Sequence, residues 1–469
     1  MPYDKIVLIS LDTLRADGIG FTKDKLYQNE YKLNVALGKT KLDELCARSC
    51  FFSNAISAAP YTSASHAAYF SGKWPKNNGL FDQFNSKMLV ENVFRKFKKQ
   101  RYKTIFKTDF PFILGKYLNL IGGVDEYFIE NDLAPLESLQ REEKTLVFFH
   151  FGQIHYPYGF HSLLYAGDDY KNKVVTLEKK YGIESVKIDL EDMAIETFHD
   201  EEDLRYLYRY KKIISHLYKN KDDDDLFNLY LEGINYFHEN KFNRFLEQLL
   251  TQLGGQNYLI VIFADHGEAW NDETYGHHNS LDEGVLRVPM AFFAKDIEPQ
   301  YVRNRIRTID LLPTLLEMNG FDDRDYDGKS LVGCIYDNKI EEDRDAFAAV
   351  WVNQSSDVLA NIKELEKNND IKTKNGISLK YSAAYYRKSY KYIENYKHFF
   401  GRSEKIEDFN LKRLYAIDNL TNMVQIQDEQ LEKELSELIV YYNNILETDN
   451  VVGKSEQLKK YFRMQGYNV

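Results

Sequence analysis

Three short stretches of this chain carry side chains that could bind a metal ion and attack an ester. Residues 59–73 (APYTSASHAAYFSGK) place Thr62 near the start of a short helix, among free backbone N–H groups. Asp265 and His266 set a carboxylate beside an imidazole, and Asp12 offers a second carboxylate. A cation shared by these groups could lower the pKa of the Thr62 hydroxyl and make it a nucleophile. The residues therefore predict metal-assisted attack on a phosphate or sulfate ester, and the plain alternative is that Thr62 only caps a helix.

A wider set of side chains surrounds this core. We expect His155 or His277 to steady the substrate or to protonate the leaving group, and one member of the His277-His278 pair to be structural or solvent-facing. The candidates are, for catalysis, Thr62, His155 and His277; for substrate binding, Ser63, His66 and His278; and for the metal, Asp12, Thr62, Asp265, His266 and His277. Mixed carboxylate and imidazole ligands favour Zn²⁺ or Mn²⁺ over Ca²⁺ or Mg²⁺.

Buried strands should bring these side chains together. Three apolar runs, Ile6 to Leu11, Thr145 to Phe149 and Leu259 to Ala264, have the length of fully buried parallel strands, and polar residues follow each of them. The carboxyl ends of parallel strands form the ligand crevice of an open α/β sheet. We therefore expect Asp12, the His150 to His155 stretch and Asp265 to meet at one edge.

The remaining pattern divides the chain into two domains. Helical periodicity from Asp222 to Leu253 and from Asp310 to Met318 supplies crossover helices, and residues 160–220 are predicted to be an insertion near the crevice. After about residue 340, Ser382 to Glu394 and Arg413 to Ile417 are strand-like, and a helix is predicted from about Glu429 to Glu447. These patterns predict an α/β domain over residues 1–340 and a smaller α+β domain over 341–469.

Composition limits the possible partners and the compartment. The 469 residues carry a net charge of -11, which argues against a nucleic-acid polymer as partner. Cys46, Cys50 and Cys334 form no paired or metal-binding pattern, so we expect buried thiols. We find no signal peptide and no membrane-spanning apolar run, and we predict a cytoplasmic protein. The oligomeric state stays open, and a homo-oligomer is one alternative.

Six segments, in order, resemble the sulfatase branch of the alkaline phosphatase superfamily. They are KIVLISLDTLRADGIG, APYTSASHAAYFSGKWPKNNG, VFFHFGQIHYPY, VIFADHGEAW with GHHNSLDEGVLRVPMAFF, TIDLLPTLLEMNGFDDRDYDGKSL and RLYAIDNLTN. The resemblance implies an alkaline-phosphatase-like three-layer α/β/α sandwich with a smaller C-terminal α+β domain. It also implies an enzyme that acts on ester bonds.

The chain departs from the sulfatases at the nucleophile. Sulfatases oxidise a Cys or Ser within C/S-x-P-x-R to formylglycine, whereas residues 62–66 here read Thr-Ser-Ala-Ser-His. Threonine cannot yield that aldehyde, so the resemblance implies no formylglycine. The Thr-x-x-x-His pattern is instead similar to that of the superfamily's phosphodiesterases and phosphotransferases. Phe151 and Gln153 stand where two-metal relatives carry acidic ligands, so one metal site is expected and a second is left open.

These observations predict a metal-dependent phosphoester hydrolase or phosphotransferase that uses Thr62. A phosphodiester is the favoured bond, and the substrate is expected to be a small-molecule or glycan-linked phosphate or sulfate ester. The alternatives are a sulfatase that works without formylglycine and a catalytically inactive relative that only binds ligands.

Overall fold

The structure, a computed structural model, describes most of the chain. The described residues are 2–82, 86–111, 113–116, 118–159, 169–183, 201–271, 274–277, 280–321, 325–337, 339, 342–352, 379–399 and 406–443. The strands are β1 (Lys5–Leu11), β2 (Cys50–Ile56), β3 (Lys103–Thr108), β4 (Glu126–Ile129), β5 (Thr145–Phe151), β6 (Tyr258–Phe263), β7 (Ala269–Trp270), β8 (Tyr275–Gly276), β9 (Arg287–Phe293), β10 (Gln300–Val302), β11 (Ile306–Arg307), β12 (Ala346–Val352), β13 (Leu379–Arg387), β14 (Tyr390–Phe399), β15 (Ile406–Asn419) and β16 (Asn422–Ile426).

Helices connect these strands. They are α1 (Tyr27–Glu30), α2 (Lys41–Cys46), α3 (Thr62–Ser71), α4 (Pro75–Asn78), α5 (Val93–Lys99), α6 (Leu133–Arg141), α7 (Asp169–Tyr181), α8 (Glu201–Lys219), α9 (Asp223–Phe237), α10 (Asn243–Leu253), α11 (Glu283–Leu286), α12 (Leu311–Met318), α13 (Val332–Asp337) and α14 (Glu429–Asn443). A π-helical turn over His238–Phe242 joins α9 to α10, so the predicted helical run from Asp222 to Leu253 is confirmed. No helix in the described part of the chain is long and apolar enough to cross a membrane.

A large sheet forms the centre of the fold. Its strands lie in the order β10-β2-β9-β6-β1-β5-β3-β4, with β11 also paired to β2. β9 runs antiparallel to both of its neighbours, and the other pairs are parallel. Every residue of β1, β2, β5 and β9 is buried, as expected for strands that helices cover on both faces. The three-layer α/β/α sandwich is confirmed.

A second, antiparallel sheet follows towards the C-terminus. Its order is β12-β13-β14-β15-β16, and α14 packs on β12, β13 and β14. The sheet also contacts the segment before α3, because the N–H of Ala349 donates to the Ala58 carbonyl at 3.3 Å and the N–H of Trp351 lies 3.3 Å from the Tyr61 hydroxyl. The small sheet therefore packs against the segment that leads into α3, the helix that begins at Thr62.

Several predicted boundaries need correction. Ser382 to Glu394 is not one strand: it spans the hairpin between β13 and β14, where Lys388 turns the chain with a φ of 49°. The strand that starts at Thr145 continues to Phe151, so His150 lies within it. The C-terminal helix is described as far as Asn443, and the rest of the predicted helix lies outside the described residues. The domain boundary at residue 340 stays a prediction.

Candidate metal centre and active site

The register of the parallel strands places the predicted ligands at the same edge of the sheet. β1 lies between β5 and β6, and Ser10 of β1 is opposite His150 on one side and Phe263 on the other. Asp12 stands two residues beyond Ser10, and Asp265 stands two residues beyond Phe263. The parallel strands therefore deliver both carboxylates to the same edge of the sheet, as the sequence predicted.

Asp12, Asp265 and His266 form a cluster of potential ligands, which we call the metal side of the site. One donor atom from each residue lies within 4.8 Å of the others, and all three residues are buried. Oδ1 of Asp265 accepts the backbone N–H groups of Thr13 at 3.1 Å and His266 at 2.9 Å. Oδ2 of Asp265 is buried, makes no hydrogen bond to the described residues, and lies 3.4 Å from Nε2 of His266.

The tautomer of His266 suits metal binding. Its Nδ1 lies 3.1 Å from the Gly267 carbonyl, which can only accept, so Nδ1 carries the proton. The lone pair of Nε2 is then free and faces the two carboxylates. Metal-binding histidines are commonly fixed in this way by a hydrogen bond from the other ring nitrogen.

Thr62 is the first residue of α3. Tyr61 precedes it in an extended conformation, and the helix ends at Gly72, whose φ is 64°. The hydroxyl oxygen of Thr62 lies 3.3 Å from Oδ2 of Asp12 and 3.4 Å from Nε2 of His266. The N–H groups of the first helical turn, which lack partners within the helix, lie at the same end. The hydroxyl therefore faces the metal side and does not serve as a helix cap.

Two serines fasten α3 to the metal side. Ser57, before the helix, and Ser65, within it, both donate to the Asp265 carbonyl oxygen, at 2.6 Å and 2.7 Å. Their own hydroxyl oxygens lie 3.1 Å apart. The hydroxyl-rich composition of the segment thus has a structural use besides Thr62, because it fixes the helix against the exit of β6.

His150 is a residue of the site to which the sequence assigned no role. Its Nε2 lies 2.9 Å from Oδ2 of Asp12, and Thr13 donates its hydroxyl to Oδ1 of Asp12 at 2.6 Å. Burial raises the pKa of Asp12, but the hydrogen bond from His150 and the electrostatic interactions with the imidazoles of His155, His150 and His266 outweigh it and hold that pKa well below its usual range. Asp12 is therefore ionised and ready to bind a cation.

His155, His277 and Glu268 form the histidine side of the site. The rings of His266 and His277 stack with centroids 4.1 Å apart, and the His155 ring lies 5.1 Å from that of His277. Nδ1 of His277 is 3.1 Å from both carboxylate oxygens of Glu268, and Nδ1 of His155 is 2.9 Å from the Tyr156 carbonyl. Glu268 was not among the predicted residues. The role of His277 as a metal ligand stays a prediction, because the clustered ligand atoms come from the metal side.

The three predicted substrate-binding residues have different outcomes. His66 needs correction: its Nδ1 lies 2.7 Å from the Thr62 carbonyl and its Nε2 lies 2.9 Å from the Ser10 hydroxyl, so no ring nitrogen is left for a substrate. Burial lowers the pKa of His66 to about 4, and the ring is neutral near pH 7. Ser63 is buried with its hydroxyl 3.4 Å from the Asp82 carbonyl, and its role stays a prediction. His278 lies outside the described residues.

The residues of the metal side fit a divalent cation. A buried carboxylate oxygen without a hydrogen bond is costly, and a cation beside Oδ2 of Asp265 removes that cost. Two carboxylates, one imidazole lone pair and a hydroxyl give a mixed oxygen and nitrogen set, which suits Zn²⁺ or Mn²⁺.

Comparison with known proteins identifies the family. The family model described as sulfatase matches residues 4–321, which is more than half of the chain. The protein belongs to the sulfatase family, and it is an enzyme that acts on ester bonds. The search of curated proteins found no match.

Solved structures show the same fold at low sequence identity. BT4656, in complex with its substrate D-glucosamine-2-N,6-O-disulfate, is 13% identical, with a TM-score of 0.63 over 94% of this chain and 99% of that one. BT1596, a 2-O GAG sulfatase, is 16% identical with a TM-score of 0.54, over 98% of this chain and 94% of that one. The phosphonate monoester hydrolase SpPMH from Silicibacter pomeroyi is 14% identical with a TM-score of 0.55, over 98% and 95%. The resemblance to the alkaline phosphatase superfamily is thereby confirmed at the level of the fold.

Proposed function

We propose that this protein is a metal-dependent phosphoester hydrolase or phosphotransferase whose nucleophile is Thr62. The observation that carries the proposal is the position of the Thr62 hydroxyl, 3.3 Å from Asp12 and 3.4 Å from His266 at the first turn of α3. A threonine there cannot give formylglycine, so the chemistry belongs to the unmodified hydroxyl. A phosphodiester is the favoured substrate bond.

The reaction proceeds in two displacements. A divalent cation held by Asp12, Asp265 and His266 would lower the pKa of the Thr62 hydroxyl and offset the negative charge of a phosphate oxygen. Thr62 loses its proton to water, and its oxygen forms a bond to phosphorus while the bond from phosphorus to the leaving oxygen breaks. The N–H groups at the start of α3 donate to another phosphate oxygen. Water or an acceptor alcohol then displaces Thr62 and restores the free hydroxyl.

The histidine side handles protons. Nδ1 of His155 faces a backbone carbonyl and therefore holds a proton, so its Nε2 is the atom available to the substrate. His277 is held by Glu268 in the same sense, with Nδ1 towards the carboxylate. A protonated Nε2 on either ring can donate to the departing oxygen, and the same nitrogen can accept a proton from the incoming water or alcohol.

The descriptions of two similar structures support a substrate class. BT4656 is described with a sulfated glucosamine and BT1596 as a 2-O GAG sulfatase, and these descriptions support a glycan-linked ester for this chain. The same structures make a sulfate ester the second candidate substrate, with Thr62 again acting unmodified. We propose Zn²⁺ or Mn²⁺ as the cation and the cytoplasm as the compartment.

The test replaces Thr62 and compares substrates. Thr62→Ala should reduce turnover of the best substrate by roughly 10³-fold or more, because it removes the hydroxyl that lies beside both Asp12 and His266. Ser71→Ala, at the far end of α3, is the matched control and should keep wild-type turnover. Assays in parallel with bis(p-nitrophenyl) phosphate, p-nitrophenyl phosphate and p-nitrophenyl sulfate separate the ester classes. Wild-type turnover by Thr62→Ala, or a strong preference for the sulfate, would contradict the proposal.

A further inference from the structure

The last residues of β3, and those just after it, form hydrogen bonds with the last residues of β5 and the loop that follows. We call residues 107–110 the β3 exit segment. The buried Lys107 ammonium donates to the His150 carbonyl at 2.9 Å and pairs with Asp109 at 2.6 Å. Oδ2 of Asp109 in turn accepts the backbone N–H of Gly152 at 3.0 Å. The segment therefore fixes the backbone from which His150 projects.

Thr108 of this segment contacts the His150 ring itself. Its hydroxyl oxygen lies 3.3 Å from Nδ1 of His150, and the backbone N–H of Phe110 lies 2.9 Å from that same oxygen. A backbone N–H can only donate, so the Thr108 oxygen accepts from Phe110, and its own proton is available for Nδ1 of His150. When Thr108 donates in this way, Nδ1 is an acceptor and the ring proton lies on Nε2.

The other end of the ring requires the same tautomer. Nε2 of His150 lies 2.9 Å from Oδ2 of Asp12, and an ionised carboxylate can only accept. With Oδ2 held by His150 and Oδ1 held by the Thr13 hydroxyl, the carboxylate plane of Asp12 is fixed at two points. Its Oδ1 stays 3.7 Å from Nε2 of His266, across the space that a shared cation would fill.

We propose that Thr108 is a positioning residue of the metal centre: its hydroxyl sets the tautomer of His150, and His150 orients the Asp12 carboxylate towards the cation. The chain of contacts is Thr108 to His150 to Asp12, and every member is fully buried. Hydrogen bonds to the outer side of a ligand typically change metal affinity or activity by about 10–100-fold. The inference depends on the proposed function only in requiring a cation at the metal side, since neither the nucleophile nor the substrate enters it.

The chain offers a matched control for this residue. Thr104 lies on the same strand, is equally buried, and donates its hydroxyl to the Gly123 carbonyl at 2.7 Å. Its replacement by Val removes a buried hydroxyl without touching His150 or Asp12. If metal affinity falls only because the packing of β3 is disturbed, Thr104→Val and Thr108→Val should both lower it. If metal affinity falls because the His150 ring is no longer held, only Thr108→Val should lower it.

The experiment measures the dissociation constant for Mn²⁺ and for Zn²⁺ in the full-length protein, by competition with a chelator, and the unfolding temperature of each metal-free variant. We expect Thr108→Val to weaken binding by about 10–100-fold and Thr108→Ser to restore it to near the wild-type value. Thr104→Val should lower the unfolding temperature and leave metal binding unchanged. If Thr108→Val does not fold, Thr108→Ala takes its place with the same expected loss of affinity.

The outcomes separate this inference from the proposed function. Thr108→Val that binds metal as tightly as the wild type, or Thr104→Val that loses as much affinity, overturns the role of Thr108. Neither result bears on the role of Thr62, which the Thr62→Ala variant tests separately. Wild-type protein that binds neither ion overturns both proposals.

Discussion

The two sides of the site are built differently. On the metal side, Asp12, Asp265 and His266 converge within 4.8 Å, and the buried Oδ2 of Asp265 lacks a hydrogen bond. On the histidine side, the Glu268 carboxylate already lies against Nδ1 of His277. The metal side presents the unpaired Oδ2 of Asp265 beside Nε2 of His266, whereas the histidine side presents an imidazole against a carboxyl group. This difference supports the proposal that the metal side binds a cation and that the histidine side moves protons.

The largest expected effect comes from removing a ligand on the metal side. Asp265→Asn keeps the shape of the side chain but removes its charge, so bound Mn²⁺ or Zn²⁺ should fall towards zero. Turnover should fall by roughly 10³-fold, since the cation contributes about 4 kcal/mol of stabilisation to the transition state. Metal analysis of the purified variant, with steady-state kinetics, checks both numbers. A variant that keeps one equivalent of metal would show that Asp265 is not a ligand.

A smaller effect is expected on the histidine side, and it should depend on the leaving group. His155→Gln should keep its metal. It should slow an alkyl phosphoester by about 10²-fold, because the departing alkoxide needs a proton, and slow a p-nitrophenyl ester much less. Turnover of both substrates, measured beside metal content, gives the comparison. Equal losses for the two leaving groups would exclude His155 as the proton donor.

The smallest effect is expected at Glu268, whose side chain lies against Nδ1 of His277. Burial and the neighbouring Asp12 raise the pKa of Glu268 well above its usual range. Glu268→Gln preserves the volume and can still accept from Nδ1 of His277, but it replaces the ionisable carboxyl group with an amide. We expect a drop in turnover of about 10-fold with unchanged metal content. Loss of the metal in this variant would instead make Glu268 part of a metal site, and the distinction between the two sides would fail.

The sequence predicted the metal side because its signals are local. Asp12 and Asp265 each follow a buried apolar run, and neighbouring parallel strands must place such residues at one edge. Thr62 was found in the same way, from its place at the start of a short helix. The fold class followed from the spacing of the strands together with the six family-like segments.

The supporting contacts could not be predicted because they depend on the register of remote segments. His150 reaches Asp12 only because β1 and β5 pair with Ser10 opposite His150. Glu268 reaches His277 because β7 and β8 fold back on each other, which places Ala269 opposite Gly276. The Thr-x-x-x-His pattern does not reveal which way the His66 ring turns, and in the structure the ring lies against the Thr62 carbonyl.

The most direct test of the account locates the cation. Crystals of the wild-type protein soaked in MnCl₂ should show an anomalous peak about 2.0–2.3 Å from carboxylate oxygens of Asp12 and Asp265, from Nε2 of His266 and from the Thr62 hydroxyl. We expect that peak at full occupancy, whether or not a second, weaker peak lies near His155 and His277. A peak confined to Glu268 and His277, or a Thr62 hydroxyl turned away from the ion, would contradict it.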